Sequence, residues 1–136
     1  MGKFTQVTND VFSIFGTSKW LAENIKTFPV NFTITNVPNN EYIRVAVLSS
    51  GRQAANPLKS ISGQVLIEIF TSAGYGPDRS NLIADKLDNY LVGKAFKSES
   101  GLTQFKESSL GMEAVDSANS SLSRVLYSIS FNYFGV

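Results

Sequence analysis

The chain has 136 residues, 43% of them hydrophobic, with 12 basic and 11 acidic side chains for a formal net charge of +1. That length and apolar content suit one domain, residues 1–136, with a buried core. The balanced charge argues against nucleic-acid binding as the main task, which needs an excess of Lys and Arg on one face. There is no Cys and no His, which removes disulfides, thiolate nucleophiles, Cys–His zinc sites and the commonest general base. A non-enzyme with no catalytic residue, cofactor or metal is therefore expected.

No stretch approaches the roughly 18–20 apolar residues that cross a bilayer. The first residues lack the apolar run and small-residue cleavage site of a signal peptide, so no membrane contact and synthesis in the cytosol are expected. Asn31-Phe32-Thr33 and Asn119-Ser120-Ser121 match the glycosylation acceptor pattern and are read as chance matches.

Phe4, Val7, Val11, Ile14 and Phe15 recur at helical spacing and predict a helix over 3–15. Gly16 suits a left-handed stop, so 1–16 forms the N-terminal helical unit. Residues 17–40 hold Trp20, Leu21, Ile25, Phe28, Val30, Phe32 and Ile34 without a clean period, and Pro29 and Pro38 interrupt them. They are predicted to be an extended arm, with a short strand where 31–35 alternate.

Residues 42–49 predict a strand with Ile43, Val45 and Val47 on one face and Tyr42, Arg44 and Ala46 on the other. A polar connection over 50–60 follows. Residues 61–70 predict a second strand, with Ile61, Gly63, Val65, Ile67 and Ile69 together and Ser62, Gln64 and Glu68 opposite. That alternation belongs to an antiparallel sheet with one solvated or partner-facing side. Gly74-Tyr75-Gly76-Pro77 breaks the strand, and Pro77 and Asp78 suit a helix start. The helix carries Ile83, Leu87, Tyr90 and Leu91 in a buried stripe and ends near Gly93. Residues 94–104 are expected to be loop, 105–115 a weaker strand, 116–121 a polar turn and 122–134 a last strand. Val125, Tyr127, Ile129, Phe131 and Tyr133 share one face of that strand.

Five groups of residues invite a chemical or contact reading. Gly74-Tyr75-Gly76 lies where a dinucleotide-binding loop would sit, but the third glycine of that motif is replaced by Arg79 and the flanking strands look antiparallel. It is read as a strand-to-helix turn. Asp85 and Asp88, with Asp78 nearby, can share a helix face and hold a cation or move a proton; a solvated face is the expected reading. A carboxylate enzyme would need these groups to converge in a pocket. Arg44 interrupts its strand, and a cross-strand pair with Glu68 is favoured over a contact with another subunit. Arg52, Gln53 and Lys59 lie in or beside the long loop, where solvated and contact roles are both open. Trp20 and the run around Phe32 pack on their own domain or anchor a neighbour.

The run Glu41-Tyr42-Ile43-Arg44-Val45-Ala46-Val47, the loop with Gly51-Arg52-Gln53, and Gly63 to Phe70 followed by Gly74 to Asp78 and the helix over 82–91 together resemble the phage tail-terminator and minor tail protein family of lambda type. The resemblance covers roughly residues 19–92 and, in topology only, the C-terminal strands. It implies a structural virion protein made in the host cytoplasm. Copies would close into a ring, usually a hexamer, on the tail tube protein. The ring would end tail elongation and meet a head-completion or neck protein, and DNA would pass through without specific binding. A head-to-tail connector of the neck is the alternative. Arg44, Arg52, Gln53, Lys59, Trp20 and Phe32 are the candidate contact residues. The expected fold is α+β: a single four-stranded, mainly antiparallel sheet with two helices on one face.

Overall fold

Alternating apolar residues give this chain its strands, and their register joins them into one sheet. The computed structural model describes residues 2–30, 41–49, 59–74, 76–99, 101–116 and 120–135. In chain order the elements are α1 (Lys3–Phe15), α2 (Ser18–Leu21), β1 (Lys26–Pro29), β2 (Tyr42–Ser49), β3 (Ser60–Ser72), α3 (Asp78–Leu91), β4 (Ala95–Ser98), β5 (Gly101–Leu110), β6 (Ala114–Val115) and β7 (Leu122–Gly135).

The sheet order is β1-β2-β3-β7-β5-β4, with β6 also on β7. β1 runs parallel to β2, and every other pairing is antiparallel. The expected four-stranded sheet with two helices is therefore wrong. Among the described residues, seven strands form one curled mixed sheet, a half-barrel, accompanied by three helices.

Three segments account for the difference, the first being the strand expected over 105–115, which is divided into β5 and β6. Residues 94–104, expected to be loop, form β4 and the start of β5. Their inward residues Phe96, Thr103 and Phe105 alternate with Lys97, Leu102 and Gln104, and Ser98 pairs with Gly101 across the hairpin. The 17–40 arm is not uniformly extended. Thr17 accepts a hydrogen bond from the Trp20 amide and caps the single turn of α2, and β1 then pairs with β2 from Lys26–Tyr42 to Pro29–Val45. The strand expected over 31–35 lies outside the described residues.

The core fills the inner face. Ile43 and Val45 of β2, Ile61 to Ile69 at alternate positions of β3, and Val125 to Tyr133 at alternate positions of β7 are buried there. Against them pack Val7, Val11, Ile14 and Phe15 of α1 and Ile83, Ala84, Leu87 and Leu91 of α3. Both helices place these residues three or four apart, on one stripe. Gly16 ends α1 as expected but keeps right-handed geometry (φ −92°), whereas Gly93 beyond α3 is left-handed (φ 71°).

Polar ties anchor the helices. The buried Asp10 of α1 accepts from Gln6 at 2.8 Å and from Thr103 of β5 at 2.6 Å. Asp88 of α3 accepts from Tyr127 and from Ser108, each at 2.7 Å. Burial, then the hydrogen bond to Asp88, push the Tyr127 hydroxyl well above its ordinary range, so it stays a donor. Arg79 in the first turn of α3 pairs with Glu41, and Ser80 beside it donates to Glu113.

The strand beside β7 carries two extra residues. Phe105 faces Phe131 but Ser108 faces Ile129, and Leu110 faces Tyr127 but Ala114 faces Arg124. Each step sets one more residue on the β5–β6 side than on β7, which is a β-bulge. The first keeps Ser108 on the inner face, within reach of Asp88.

Candidate assembly surface

The outer face of the sheet carries the side chains that alternate with the core. On β2 these are Tyr42, Arg44, Ala46 and Leu48. On β3 they run from Ser60 to Ser72 through the even numbers, and on β7 from Leu122 to Phe134 likewise.

One end of this face is charged and aromatic. Arg44 stands directly opposite Glu68 and donates to it at 2.8 Å. Arg124, diagonal to Glu68 because Leu126 is its direct partner, donates to the other carboxylate oxygen. Burial alone would raise the Glu68 carboxyl, but the hydrogen bonds from Arg44 and Arg124 outweigh it and hold it below the usual range. The hydrogen bond to Glu68 likewise raises Arg44. Beside the triad, Tyr42 and Phe70 stack at 4.5 Å, Phe28 meets Tyr42 edge-on at 5.9 Å, and Leu122 completes the cluster. The Arg44 guanidinium lies 5.5 Å from the Phe70 ring centre.

Beyond the triad, the outer face of β2, β3 and β7 has no charged side chain. The registered rows read Ala46–Leu66–Ser128, Leu48–Gln64–Ser130 and Ser62–Asn132. β5 extends the last row with Gln104, and Ser109 hydrogen-bonds Ser128 at 2.7 Å. A solvated antiparallel face ordinarily carries Lys and Glu, which resist unwanted sheet contacts. Here small neutral groups and Leu48, 54% exposed, take their place.

Both ends of the sheet are short strands. Among the described residues, no strand pairs with the outer side of β1 or of β4. Each is four residues long.

The candidate contact residues separate on this frame. Arg44 forms the cross-strand pair with Glu68. Trp20 is an internal anchor: it is 1% exposed, its Nε1 donates to Thr27 at 2.9 Å, and it meets Phe15 and Tyr90 edge-on. Lys59 is exposed, and its carbonyl accepts from the Gly135 amide at 2.9 Å beside the end of β7. Arg52, Gln53 and Phe32 lie outside the described residues. The sequence reading missed Arg124, whose signal was its place on the outer parity of the last strand, in line with Glu68.

The carboxylates of α3 do not converge. Asp78 and Asp85 are exposed, while Asp88 is turned onto Tyr127 and Ser108. Among the described residues no group of three or more His, Cys, Asp and Glu side chains could hold a metal ion. Gly74 and Gly76 take left-handed φ of 89° and 77°, which makes the segment a turn between β3 and α3. No described helix is long and apolar enough to cross a membrane.

No family model matches the chain, and no curated protein matches it. Among solved structures, a chain known only by a sequence identifier aligns with 88% of this chain and 84% of its own length, at a TM-score of 0.63 and 16% identity. At that identity the likeness shows the fold alone.

Proposed function

We propose that this chain is a structural virion protein, a tail terminator whose copies close into a ring on the end of a phage tail tube. The resemblance in residues 19–92 supplies the idea. The observation that supports it best is the open, curled sheet, with a short strand at either end and, beyond the Arg44–Glu68–Arg124 triad, neutral rows on the outer face of β2, β3 and β7. An edge-to-edge contact between β1 of one copy and β4 of the next is heterologous, and such contacts build rings when the rotation closes. Four-residue edges supply few hydrogen bonds, so the neutral rows and the loop with Arg52 and Gln53 would carry most of the side-chain contact. The rows of β2, β3 and β7 beyond the triad carry no positive charge, and a wall of that kind would let DNA pass without sticking.

The test is to sediment the purified protein with tail tubes of the phage that encodes it and to image the tube ends. Ring density at one end, with tube growth stopped, supports the proposal. No binding to tubes, with binding to portal-bearing heads instead, rejects it in favour of a neck adaptor.

A further inference from the structure

A cleft of about 500 Å³ opens on the helical side of the molecule, between α2, the C-terminal half of α3 and β4. Its size falls in the range of small-molecule sites, roughly 300–1,000 Å³. Lys19, Lys86 and Lys94 line it, against one carboxylate, Glu23. Glu23 is 3.2 Å from the Lys86 ammonium. Lys19 and Lys94 form no salt bridge among the described residues. In a chain with nearly equal numbers of acids and bases, three ammonium groups thus gather around one concavity. Low-dielectric walls concentrate such a field toward an incoming anion.

Thr17 and Asn89 add polar groups to the lining, and Ile14, Tyr90 and Phe96 give it an apolar part. Tyr90 stands edge-on to Trp20 at 5.2 Å and 89°, and Phe96 edge-on to Phe105 at 5.6 Å and 78°. Trp20 and Phe105 are core residues, so neither lining ring is free to fold into the cleft and fill it. Lys86 and Tyr90, four apart on α3, bring charge and ring to the same helix face. Such rigid walls reduce the ordering cost of binding.

We propose that this cleft is a binding site for a small aromatic anion, with a phosphate or carboxylate among the lysines and a flat ring against Tyr90 and Phe96. The site lies on the helices, away from the sheet's outer face, and stands or falls independently of the assembly reading.

The test is a ¹H–¹⁵N NMR titration of the whole chain with phenyl phosphate, benzoate, inorganic phosphate and benzyl alcohol. Phenyl phosphate or benzoate should saturate, shifting the amides of Lys19, Asn89, Tyr90 and Lys94. It should bind about tenfold tighter than inorganic phosphate or benzyl alcohol, a difference of ~1.4 kcal/mol. The tighter of the two aromatic anions identifies the head group. Both Lys19 and Lys94 are exposed, so the double variant Lys19→Gln/Lys94→Gln should keep its thermal midpoint while losing most of this affinity. Inorganic phosphate binding as tightly would reduce the cleft to a charge patch. Benzyl alcohol binding as tightly would reduce it to an apolar slot. Either result, shifts elsewhere, or unchanged affinity in the folded double variant overturns the proposal.

Discussion

The hydroxyl of Thr103 donates to the carboxylate of Asp10 at 2.6 Å and ties α1 to β5 across 93 residues of chain. Asp10 is 8% exposed and Thr103 fully buried. Thr103→Val should leave a buried carboxylate oxygen short of a donor and destabilise the fold by about 1–3 kcal/mol. Asp10→Ala removes the acceptor for both Thr103 and Gln6 and should cost at least as much. Urea unfolding measures both, and a neutral Thr103→Val would show that the tie is not what docks α1.

The Glu68 triad predicts an acid limb of stability. Its carboxyl lies below the usual range when folded, so its contribution is fully present above the unfolded value of about 4.3 and is lost as pH falls through the folded value. Glu68→Gln should cost about 1 kcal/mol at neutral pH, a figure discounted for the half-exposed arginines. The difference from the parent should shrink as pH falls from about 4.3 through the folded value. Thermal midpoints between pH 2 and 7 test the sign. A constant difference across that range would mean that charge is not involved.

Trp20 serves as a spectroscopic reporter because it is the single Trp of the chain. Buried at 1% exposure, it should emit at short wavelength and resist acrylamide quenching in the isolated protein. Trp20→Phe removes the donor to Thr27 and should cost about 1–2 kcal/mol, and Trp20→Ala about 3–5 kcal/mol. A solvent-exposed emission spectrum in the folded protein would return Trp20 to the role of surface anchor.

Gly63 and Gly74 should fail for different reasons. A Cβ on Gly63 would lie 2.0 Å from the Leu48 carbonyl, so Gly63→Ala must part β2 from β3 and should cost about 1–3 kcal/mol. Gly74 has open space around it but φ of 89°, so Gly74→Ala should cost about 1 kcal/mol through backbone strain alone. Amide exchange in β2 should accelerate in the first variant and stay unchanged in the second.

Strands with long, unbroken alternation were legible in the sequence. Tyr42–Ser49, Ser60–Ser72 and Leu122–Gly135 sit where period-two patterning placed them, and the inward residues match. The Arg44–Glu68 pair followed from the same parity. Short or offset elements were not legible. β4 has four residues with a single aromatic, Phe96, to mark it. The bulges in the strand facing β7 shift its parity twice, so no one alternation survives from Gly101 to Val115. β1 ends in Pro29 and gains its identity only from β2, a partner its own residues do not specify. Of the candidate surface, Arg124 needed the β3–β7 register before it could be matched to Glu68. The Lys19–Lys86–Lys94 cleft needed α2, β4 and α3 together.

The central seam of the sheet joins β3 to β7 along its whole length, between residues 50 apart (Ser72 and Leu122) and 74 apart (Ser60 and Phe134). Pairings this remote close slowly, because the intervening loop must be ordered before its contacts form. Of all these elements β7 is also made last. During synthesis, then, β3 waits with the edge that β7 will pair unpaired, and β5 has no neighbour toward β3 until the final strand arrives. Insertion of β7 between them completes both halves at once. A chain interrupted before residue 122 would be left without its middle strand and could not pass for a finished one.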